Sequence, residues 1–303
     1  MKLESICVYV IALMMAPLLI GVINRTKALF AGRRGQPVLQ LYYDIVKLLR
    51  KGAVYSGATT WIFRAGPVLS LGAALLALVF VPLGGVPALV SFNGDFLLIA
   101  YLLGVMRFFT VIAALDTGSS FEGMGASREV QFSALAEPAL LLGIVALVRV
   151  TGELSLTAAL GAVSTGLWAG AGIALALVFI AWMAVFLAEN SRIPVDDPNT
   201  HLELTMIHEV MVLDHGGPDF AFVLYGAVLK MWILGAFLTG VLMPVRTGNQ
   251  LLDMGAGLVG MLVLAVGVGM VESTMARLKL IKVPHLLLAA GAFSILALLL
   301  VVR

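Results

Sequence analysis

The feature that most constrains this chain is a series of apolar runs, each near the length needed to cross a bilayer as an α-helix. A transmembrane helix needs roughly 17–25 predominantly apolar residues, and eight runs of this kind follow one another. Hydrophobic residues make up 61% of the 303 residues and charged residues only 12%, whereas soluble domains carry about 25% charged residues. The alternating segments of membrane β-barrels are absent. We therefore predict an all-α, polytopic membrane protein with about eight transmembrane helices.

The predicted spans form a single membrane domain, residues 1–303. They are Ser5–Ile23, Ala65–Pro82, Phe96–Leu115, Pro138–Val150, Gly166–Ala188, Phe220–Met243, Gly255–Val271 and His285–Val302. The first run resembles a signal peptide, but its apolar stretch is long for one and no clear cleavage site follows it. It is therefore interpreted as the first span.

The distribution of Lys and Arg predicts how these spans are oriented. Thirteen of these residues fall in the connections on one side: Arg25, Lys27, Arg33, Arg34, Lys47, Arg50, Lys51, Arg64, Arg128, Arg192, Arg277, Lys279 and Lys282. Only Lys2, Arg246 and Arg303 fall on the other side. Because cytoplasmic connections carry the excess of Lys and Arg, we expect both termini to face outward. The protein is predicted to lie in a prokaryotic cytoplasmic (inner) membrane.

Four polar connections would then face the cytoplasm: residues 24–64, 116–137, 189–219 and 272–284. The first contains QPVLQLYYDIVKLLRKG, in which apolar side chains recur at helical spacing. They are Val38, Leu41, Tyr42, Ile45, Leu48 and Leu49. This pattern is typical of an amphipathic helix that lies at the membrane surface.

The stretch from Ala188 to Gly217 is the most polar of these connections. It holds six carboxylates (Glu189, Asp196, Asp197, Glu203, Glu209 and Asp214), three of the four histidines (His201, His208 and His215) and Arg192. Loops on a rigid scaffold often carry function, and carboxylates with a histidine near its own pKa can handle protons. Solvated loop charges are the alternative interpretation. The histidines recur every seven residues, but no HExxH motif is present, and a metal site is not predicted.

Charges also occur inside or beside the apolar runs, where they are costly and often mark ion paths or buried pairs. Arg107 and Lys230 lie within spans, and Asp116 and Glu272 lie at the ends of spans. Glu129 and Glu137 are eight residues apart and would share one face of a continuous helix. Carboxylates on one face could pass protons. The alternatives are structural pairs or side chains that extend to the membrane surface.

Cys7 is the only cysteine. One thiol cannot form an internal disulfide, ligate an iron–sulfur cluster or build a multi-cysteine zinc site. No cofactor is therefore expected in this chain, and any redox centre would belong to partner subunits. Walker, GxSxG and dinucleotide-binding motifs are absent, and no nucleic-acid partner is expected.

Four stretches in the same order resemble one family. They are GRRGQPVLQLYYDIVKLLRKG, LDTGSSFEGMGASRE with the following AEP, AENSRIPVDD with HLEL, and VESTMARLKL. Together they resemble the membrane subunit that energy-converting NiFe hydrogenases share with respiratory complex I, where it is also called subunit 1. In the hydrogenases this subunit is formate hydrogenlyase subunit 4. GASRE and ESTMARL are more similar to the hydrogenase branch.

The resemblance implies an eight-helix subunit that docks a soluble electron-transfer arm and links it to antiporter-like membrane subunits. The NiFe centre and iron–sulfur clusters would lie in hydrogenase-like large and small subunits, and membrane lipid would surround this chain. By matching position, the implied ion-path residues are Asp116, Arg128, Glu129, Glu137, Glu189, Arg192, Asp196, Glu203 and Glu272. The implied docking residues are Arg33, Arg34, Asp44 and Lys47.

One segment departs from the family pattern. The usual Pro-Phe-Asp run with alternating acids reads PVDDPNTHLEL here, so that Val195 replaces Phe, and Asn199 and His201 replace acids. The departure indicates a proton path or quinone-facing surface unlike that of the commoner members. Two alternative functions remain: a quinone-binding subunit of a complex I-like oxidoreductase and a stand-alone transporter. Transporters often show inverted repeats, and none is evident.

Overall fold

A computed structural model describes residues 3–196, 206–244 and 247–302. Ten α-helices occur in these ranges: α1 Leu3–Phe30, α2 Gln40–Leu49, α3 Trp61–Leu78, α4 Asp95–Asp116, α5 Ser120–Thr151, α6 Leu156–Ala162, α7 Thr165–Glu189, α8 Gly217–Leu242, α9 Gln250–Thr274 and α10 Val283–Val302. Short 3-10 helices cover Glu209–Val212 and Leu280–Lys282. The predicted all-α class is confirmed.

Eight helical segments are long and apolar enough to cross a membrane. They are α1, α3, α4, α5, α7, α8, α9 and Leu280–Val302, which includes α10. Each predicted span overlaps one of them. Helix α6 was not predicted: it lies in the short connection after α5, where Asp95 accepts hydrogen bonds from the Ser155 hydroxyl and the Leu156 backbone N–H. These bonds hold the start of α6 against the start of α4.

The predicted boundary of the fourth span is wrong. Helix α5 begins at Ser120 and continues through Pro138, so most of the predicted connection 116–137 is helical. Proline removes one backbone donor and disfavours helix in the residue before it, which is why Pro138 suggested a helix start. In a packed bundle neighbouring helices compensate for the lost hydrogen bond. The longer helix carries both Glu129 and Glu137.

The predicted surface helix is present as α2, which packs against α8 and α1. Its predicted apolar face is half-buried there, with Tyr42 donating a hydrogen bond to the Met14 carbonyl. A second apolar row, Leu39, Tyr43 and Val46, is exposed on the other side of the helix. The helix is therefore apolar on two faces rather than one.

Helix α8 lies at the centre of the bundle and contacts α1, α2, α3, α7 and α9. Elsewhere small residues let helices approach closely, as is usual in membrane bundles. A Cβ atom added to Gly143 of α5 would overlap the Trp182 indole nitrogen of α7. That nitrogen donates to the Leu140 carbonyl at 3.2 Å. This packing fixes α5 and α7 beside α8 and positions the charged side chains described next.

Candidate functional site: a buried charge network

Arg107, near the middle of α4, is shared by three carboxylates. Its Nε lies 3.2 Å from the Glu129 Oε1, its Nη2 lies 2.7 Å from the Glu189 Oε1, and its Nη1 contacts Glu137. Lys230, near the middle of α8, places its Nζ 3.4 Å from the second oxygen of Glu189. A single charge at the bilayer centre costs about 2.5–3.5 kcal/mol on insertion scales. Mutual pairing among four helices offsets that cost here.

His208 extends this cluster toward the α2 end of the bundle, the end that carries α2. Its Nε2 lies 3.0 Å from Glu129 Oε2, and its Nδ1 lies 3.7 Å from Asp196 Oδ2. Arg277 places its Nη2 2.8 Å from Asp196 Oδ1. Asp196 also accepts from the backbone N–H groups of Ile207 and His208. Acidic and basic side chains therefore alternate along the series.

These contacts determine the protonation of the two groups that lie outside the spanning helices. Burial alone would lower the pKa of His208, but the charge of Glu129 and the contact with Asp196 outweigh it and raise this pKa to about 9. Burial alone would raise the pKa of Asp196, but His208 and Arg277 outweigh it, and this pKa is lowered. At neutral pH the imidazolium of His208 therefore lies between two carboxylates.

A second branch runs through Glu272 near the end of α9. Its Oε1 lies 3.4 Å from the Arg192 Nη1, and its Oε2 lies 2.8 Å from the Lys27 Nζ of α1. Arg192 lies directly after α7, where its backbone N–H donates to the Leu187 carbonyl. One carboxylate therefore joins a largely buried guanidinium to an ammonium group near the surface.

The residues that follow α7 lie inside the protein, because α7 ends at the depth of Lys230 and Arg107. Arg192 and Asp196 are buried, and Ile207 has no exposed surface. Arg128 donates to the Met206 carbonyl at 2.9 Å. A Cβ atom at Gly125 would lie 2.9 Å from the Ile207 carbonyl. Non-helical backbone at this depth is tolerated only when the protein encloses it, and solvated loop charges do not describe these residues.

The histidine periodicity does not produce a common face in the described part of this stretch. Residues 206–216 contain only the short 3-10 turn rather than a continuous α-helix. His208 lies in the charge network, whereas the ring of His215 stacks on Phe63 with centroids 4.0 Å apart. Burial lowers the pKa of His215, against the effect of Asp219 and Asp214. Across the described ranges, no group of three or more His, Cys, Asp or Glu side chains is placed to hold a metal ion.

Two cavities adjoin the network. The first, the central cavity, has a volume of about 190 Å³ and is lined by both charged and apolar side chains. Its charged lining includes Arg107, Glu129, Glu189, Arg192, His208 and Lys230. The second, the lateral cavity, has a volume of about 280 Å³ between α4 and α5, and Arg107, Glu137 and Glu189 contribute to its lining. Tyr101 at its edge is 74% exposed, and the Glu137 side chain is 50% exposed. The network therefore reaches the side of the bundle.

The structure brings together six of the nine implied ion-path residues: Glu129, Glu137, Glu189, Arg192, Asp196 and Glu272. Arg128 lies beside them on α5. Asp116 lies apart from them, accepting hydrogen bonds from the Thr60 and Phe63 backbone N–H groups at the start of α3. Glu203 lies outside the described residues.

The four implied docking residues lie in and before α2. Arg33, Arg34 and Lys47 are exposed, and Asp44 is half-buried and accepts from the Gln40 amide at 2.9 Å. They form a polar surface at the α2 end of the bundle.

Five further members of the network were not among the predicted site residues: Lys27, Arg107, His208, Lys230 and Arg277. A charge in the middle of an apolar run could have identified Arg107 and Lys230. His208 stood out only as one of three histidines in a polar stretch. Lys27 and Arg277 carry no local signal, because each resembles an ordinary basic residue at a helix end.

Comparison with known proteins places the chain in a family. The family model described as NADH dehydrogenase matches residues 3–302, nearly the whole chain. The chain belongs to this family.

Its relatives include subunits of two kinds of membrane complex. Formate hydrogenlyase subunit 4 of Escherichia coli is 32% identical over 93% of this chain and 92% of its own length. Hydrogenase-4 component C of the same organism is 28% identical over 91% and 88%. A membrane-subunit relative from the NADH-quinone oxidoreductase of Verminephrobacter eiseniae is 28% identical over 70% and 62%. The resemblance inferred from the sequence motifs is therefore confirmed.

A solved structure shares the fold. A chain of the membrane-bound sulfane sulfur reductase, an archaeal respiratory membrane complex, matches with a TM-score of 0.81 and 21% identity. The match covers 97% of this chain and 98% of that chain. The arrangement of helices is therefore common to members whose sequences have diverged widely.

Proposed function

We propose that this protein is the ion-conducting and docking membrane subunit of an energy-converting, hydrogenase-type complex. The observation that carries the proposal is the continuity of the charge network. From Arg277 and Asp196, ionisable side chains in contact with one another lead through His208 and Glu129 to Arg107 and then to Glu137. The series begins at the α2 end and ends at the side of the bundle.

The alternation of acids and bases suits proton transfer. A proton added to a carboxylate weakens its ion pairs, and the released cation then changes the proton affinity of the next carboxylate. Arg107 is central to this coupling, because it contacts Glu129, Glu137 and Glu189 at once. Protonation of one of these acids strengthens the hold of Arg107 on the other two.

The proposal assigns the redox chemistry to partner subunits. The NiFe centre and iron–sulfur clusters would lie in hydrogenase-like large and small subunits that dock at the α2 end. There Arg33, Arg34 and Lys47 expose positive charge on the cytoplasmic side. The half-exposed Glu137 would face an antiporter-like membrane subunit, which receives the proton or the charge displacement.

The test uses the complete complex, purified and reconstituted into closed vesicles. Glu129→Gln removes the carboxylate between His208 and Arg107, and we expect proton translocation to fall by roughly a hundredfold, in the range for loss of a proton-transferring group. Dye-linked turnover of the soluble arm should persist. Glu153→Gln, which changes an exposed glutamate after α5, is the matched control. Undiminished translocation by the assembled Glu129→Gln complex would refute the proposal.

A quinone-binding subunit is the second candidate, and the central cavity favours it. Phe220, Val223 and Leu224 give that cavity an apolar wall opposite its charged groups. Its volume of about 190 Å³ is below the 300–1,000 Å³ typical of small-molecule sites, which ranks this candidate second. Val223→Trp would fill the cavity. Loss of quinone-dependent activity with proton-coupled hydrogenase activity retained would support it.

A further inference from the structure

A surface pocket at the α2 end leads directly to the charge network. It has a volume of about 490 Å³ and is formed by the end of α1, the turn after it and the end of α9. Lys27, Arg33 and Ser273 line it, and Glu272 lies at its base. We refer to it as the Lys27 pocket. It is separate from the central cavity and from the lateral cavity between α4 and α5.

Glu272 separates the Lys27 pocket from the central cavity. The carboxylate lines the Lys27 pocket, and Arg192, which lies 3.4 Å from it, lines the central cavity. The Glu272 side chain has no exposed surface, whereas Lys27 is 22% exposed. The two spaces are therefore connected through one carboxylate that is held between two cations, one on each side.

We propose that the Lys27 pocket is the entrance through which protons reach the central cavity, with Glu272 as the group that transfers them. This inference rests on the proposed ion-conducting function and adds the place of entry. It assigns Lys27 and Ser273 to the entrance, and it gives Glu272 a role distinct from that of Glu129 or Glu189, which lie beyond the central cavity.

The charges at the mouth favour a proton over a hydrated metal cation. Lys27 and Arg33 would repel a sodium ion that approached Glu272. A hydronium ion needs to reach only the water next to the carboxylate, because its proton can pass along hydrogen-bonded water molecules. The hydronium gives its proton to Glu272 and remains as water, and the neutral carboxyl no longer holds Lys27 and Arg192 by charge.

The proton then moves from the Glu272 carboxyl to water in the central cavity and on to a carboxylate on its far side. A volume of about 190 Å³ with a charged lining can hold several water molecules, since one occupies about 30 Å³ in the liquid. Glu129 and Glu189 line the same cavity. Once Glu272 has lost the proton, both of its ion pairs form again and the entrance returns to its starting state.

The packing of α1 against α9 supports this geometry. A Cβ atom at Gly269 would lie 2.7 Å from the Thr26 Cβ and 3.0 Å from the Ile23 carbonyl. Without a side chain at Gly269 the two helices approach closely, one turn below the Lys27–Glu272 pair. This close contact holds the ammonium and carboxylate groups opposite each other at the base of the pocket.

The test blocks the pocket chemically without altering any charged residue. Cys7, the only cysteine, is first replaced by Ser; it lies about 30 Å from Lys27 along α1 at 1.5 Å per residue. Ser273→Cys then places a thiol at the lining of the pocket. The complete complex in closed vesicles is treated with a bulky, charged, membrane-impermeant thiosulfonate reagent. Proton translocation is measured before and after labelling on the same preparation, together with dye-linked turnover of the soluble arm.

We expect translocation to fall in proportion to the labelled fraction of Ser273→Cys, while dye-linked turnover stays constant. Thr274→Cys is the matched control, because Thr274 is exposed on the next residue and does not line the pocket. Labelling there should leave translocation unchanged. Full labelling of Ser273→Cys without loss of translocation would overturn the entrance, and so would an equal loss at both positions.

Glu272→Gln supplies an independent test, since the amide keeps the shape of the side chain but cannot carry the proton. Translocation should fall roughly a hundredfold, and Lys279→Met, at an exposed lysine of the same end, should behave as wild type. If Glu129→Gln stops translocation but Glu272→Gln and labelled Ser273→Cys do not, the entrance is wrong and the proposed function remains. If Glu129→Gln also has no effect, the proposed function itself fails.

Discussion

At the scale of single residues, the protein places ionisable groups where their charges depend on one another. Arg107 contacts three carboxylates, and Glu189 contacts two cations. Removing one partner of a buried pair is far more costly than the pair is worth, because the other charge stays buried. Each group in the network is therefore both a structural partner and a site whose protonation its neighbours determine.

His208 gives the clearest pH dependence. Its pKa is raised from 6.5 to about 9 in the folded protein, because the charge of Glu129 and the contact with Asp196 outweigh the effect of burial. A raised folded-state pKa stabilises the protein fully below pH 6.5, and that contribution is lost as the pH rises through 9. We therefore expect the difference in Tm between wild type and His208→Gln to be largest near pH 6 and to shrink toward pH 9.5.

The measurement for His208 is heat unfolding in detergent across this pH range. His285→Gln, at an exposed histidine of the same end of the bundle, is the control and should give a constant difference. A Tm difference for His208→Gln that does not change between pH 6 and 9.5 would show that the imidazole is not held as a cation by Glu129 and Asp196.

At the scale of helices, close approach is set by residues without side chains at particular positions. On α9, Gly269 faces Thr26 and the Ile23 carbonyl of α1, whereas nothing lies within 4 Å of a Cβ added to Gly267. Two glycines two residues apart on the same helix therefore have opposite roles. The first permits packing against α1, and the second only lowers helix propensity.

Replacing each glycine by alanine separates these roles. We expect Gly269→Ala to destabilise the protein by about 1–3 kcal/mol, the usual cost of overpacking, because the Ile23 carbonyl cannot move aside. Gly267→Ala should be neutral or stabilising by up to about 1 kcal/mol, through helix propensity. Thermal unfolding of the two variants in the same detergent checks this difference. Equal stability of the two variants would contradict the close α1–α9 contact.

At the scale of the whole molecule, the charge network ties together helices that are distant in the chain. Glu189 ends α7, yet it contacts Arg107 of α4 and Lys230 of α8. The segment after α7 then has to pass through the protein interior, where Arg128 and Gly125 of α5 hold it. The fold and the candidate proton path are therefore built from the same contacts.

A double-mutant cycle measures this connection between α7 and α8. Glu189→Gln leaves Lys230 without its carboxylate and should cost about 3–5 kcal/mol, as for other broken buried pairs. Lys230→Met should also destabilise the protein. The double variant should lose less than the sum of the two by at least about 1 kcal/mol, because it leaves no unpaired ammonium. Additive losses would show that Lys230 and Glu189 do not act as a pair.

The sequence alone determined the class of fold and most of its helices. Apolar length is a local property, so seven of the eight spans were located closely, and helical spacing identified α2. Pro138 misled the prediction for α5, because a proline signal is local whereas its compensation comes from neighbouring helices. Four motifs were enough to identify the family, since their residues and order can be read directly from the chain.

Only the tertiary structure decided which charges meet. Glu272 is 245 residues from Lys27 along the chain and 80 from Arg192, and no local pattern links such positions. The polar stretch after α7 looked like a solvated loop, yet its described residues are buried, because α7 ends inside the bundle. Spacing along a helix predicted that Glu129 and Glu137 share a face. The cation between them, Arg107, comes from another helix, and its position depends on how the helices pack.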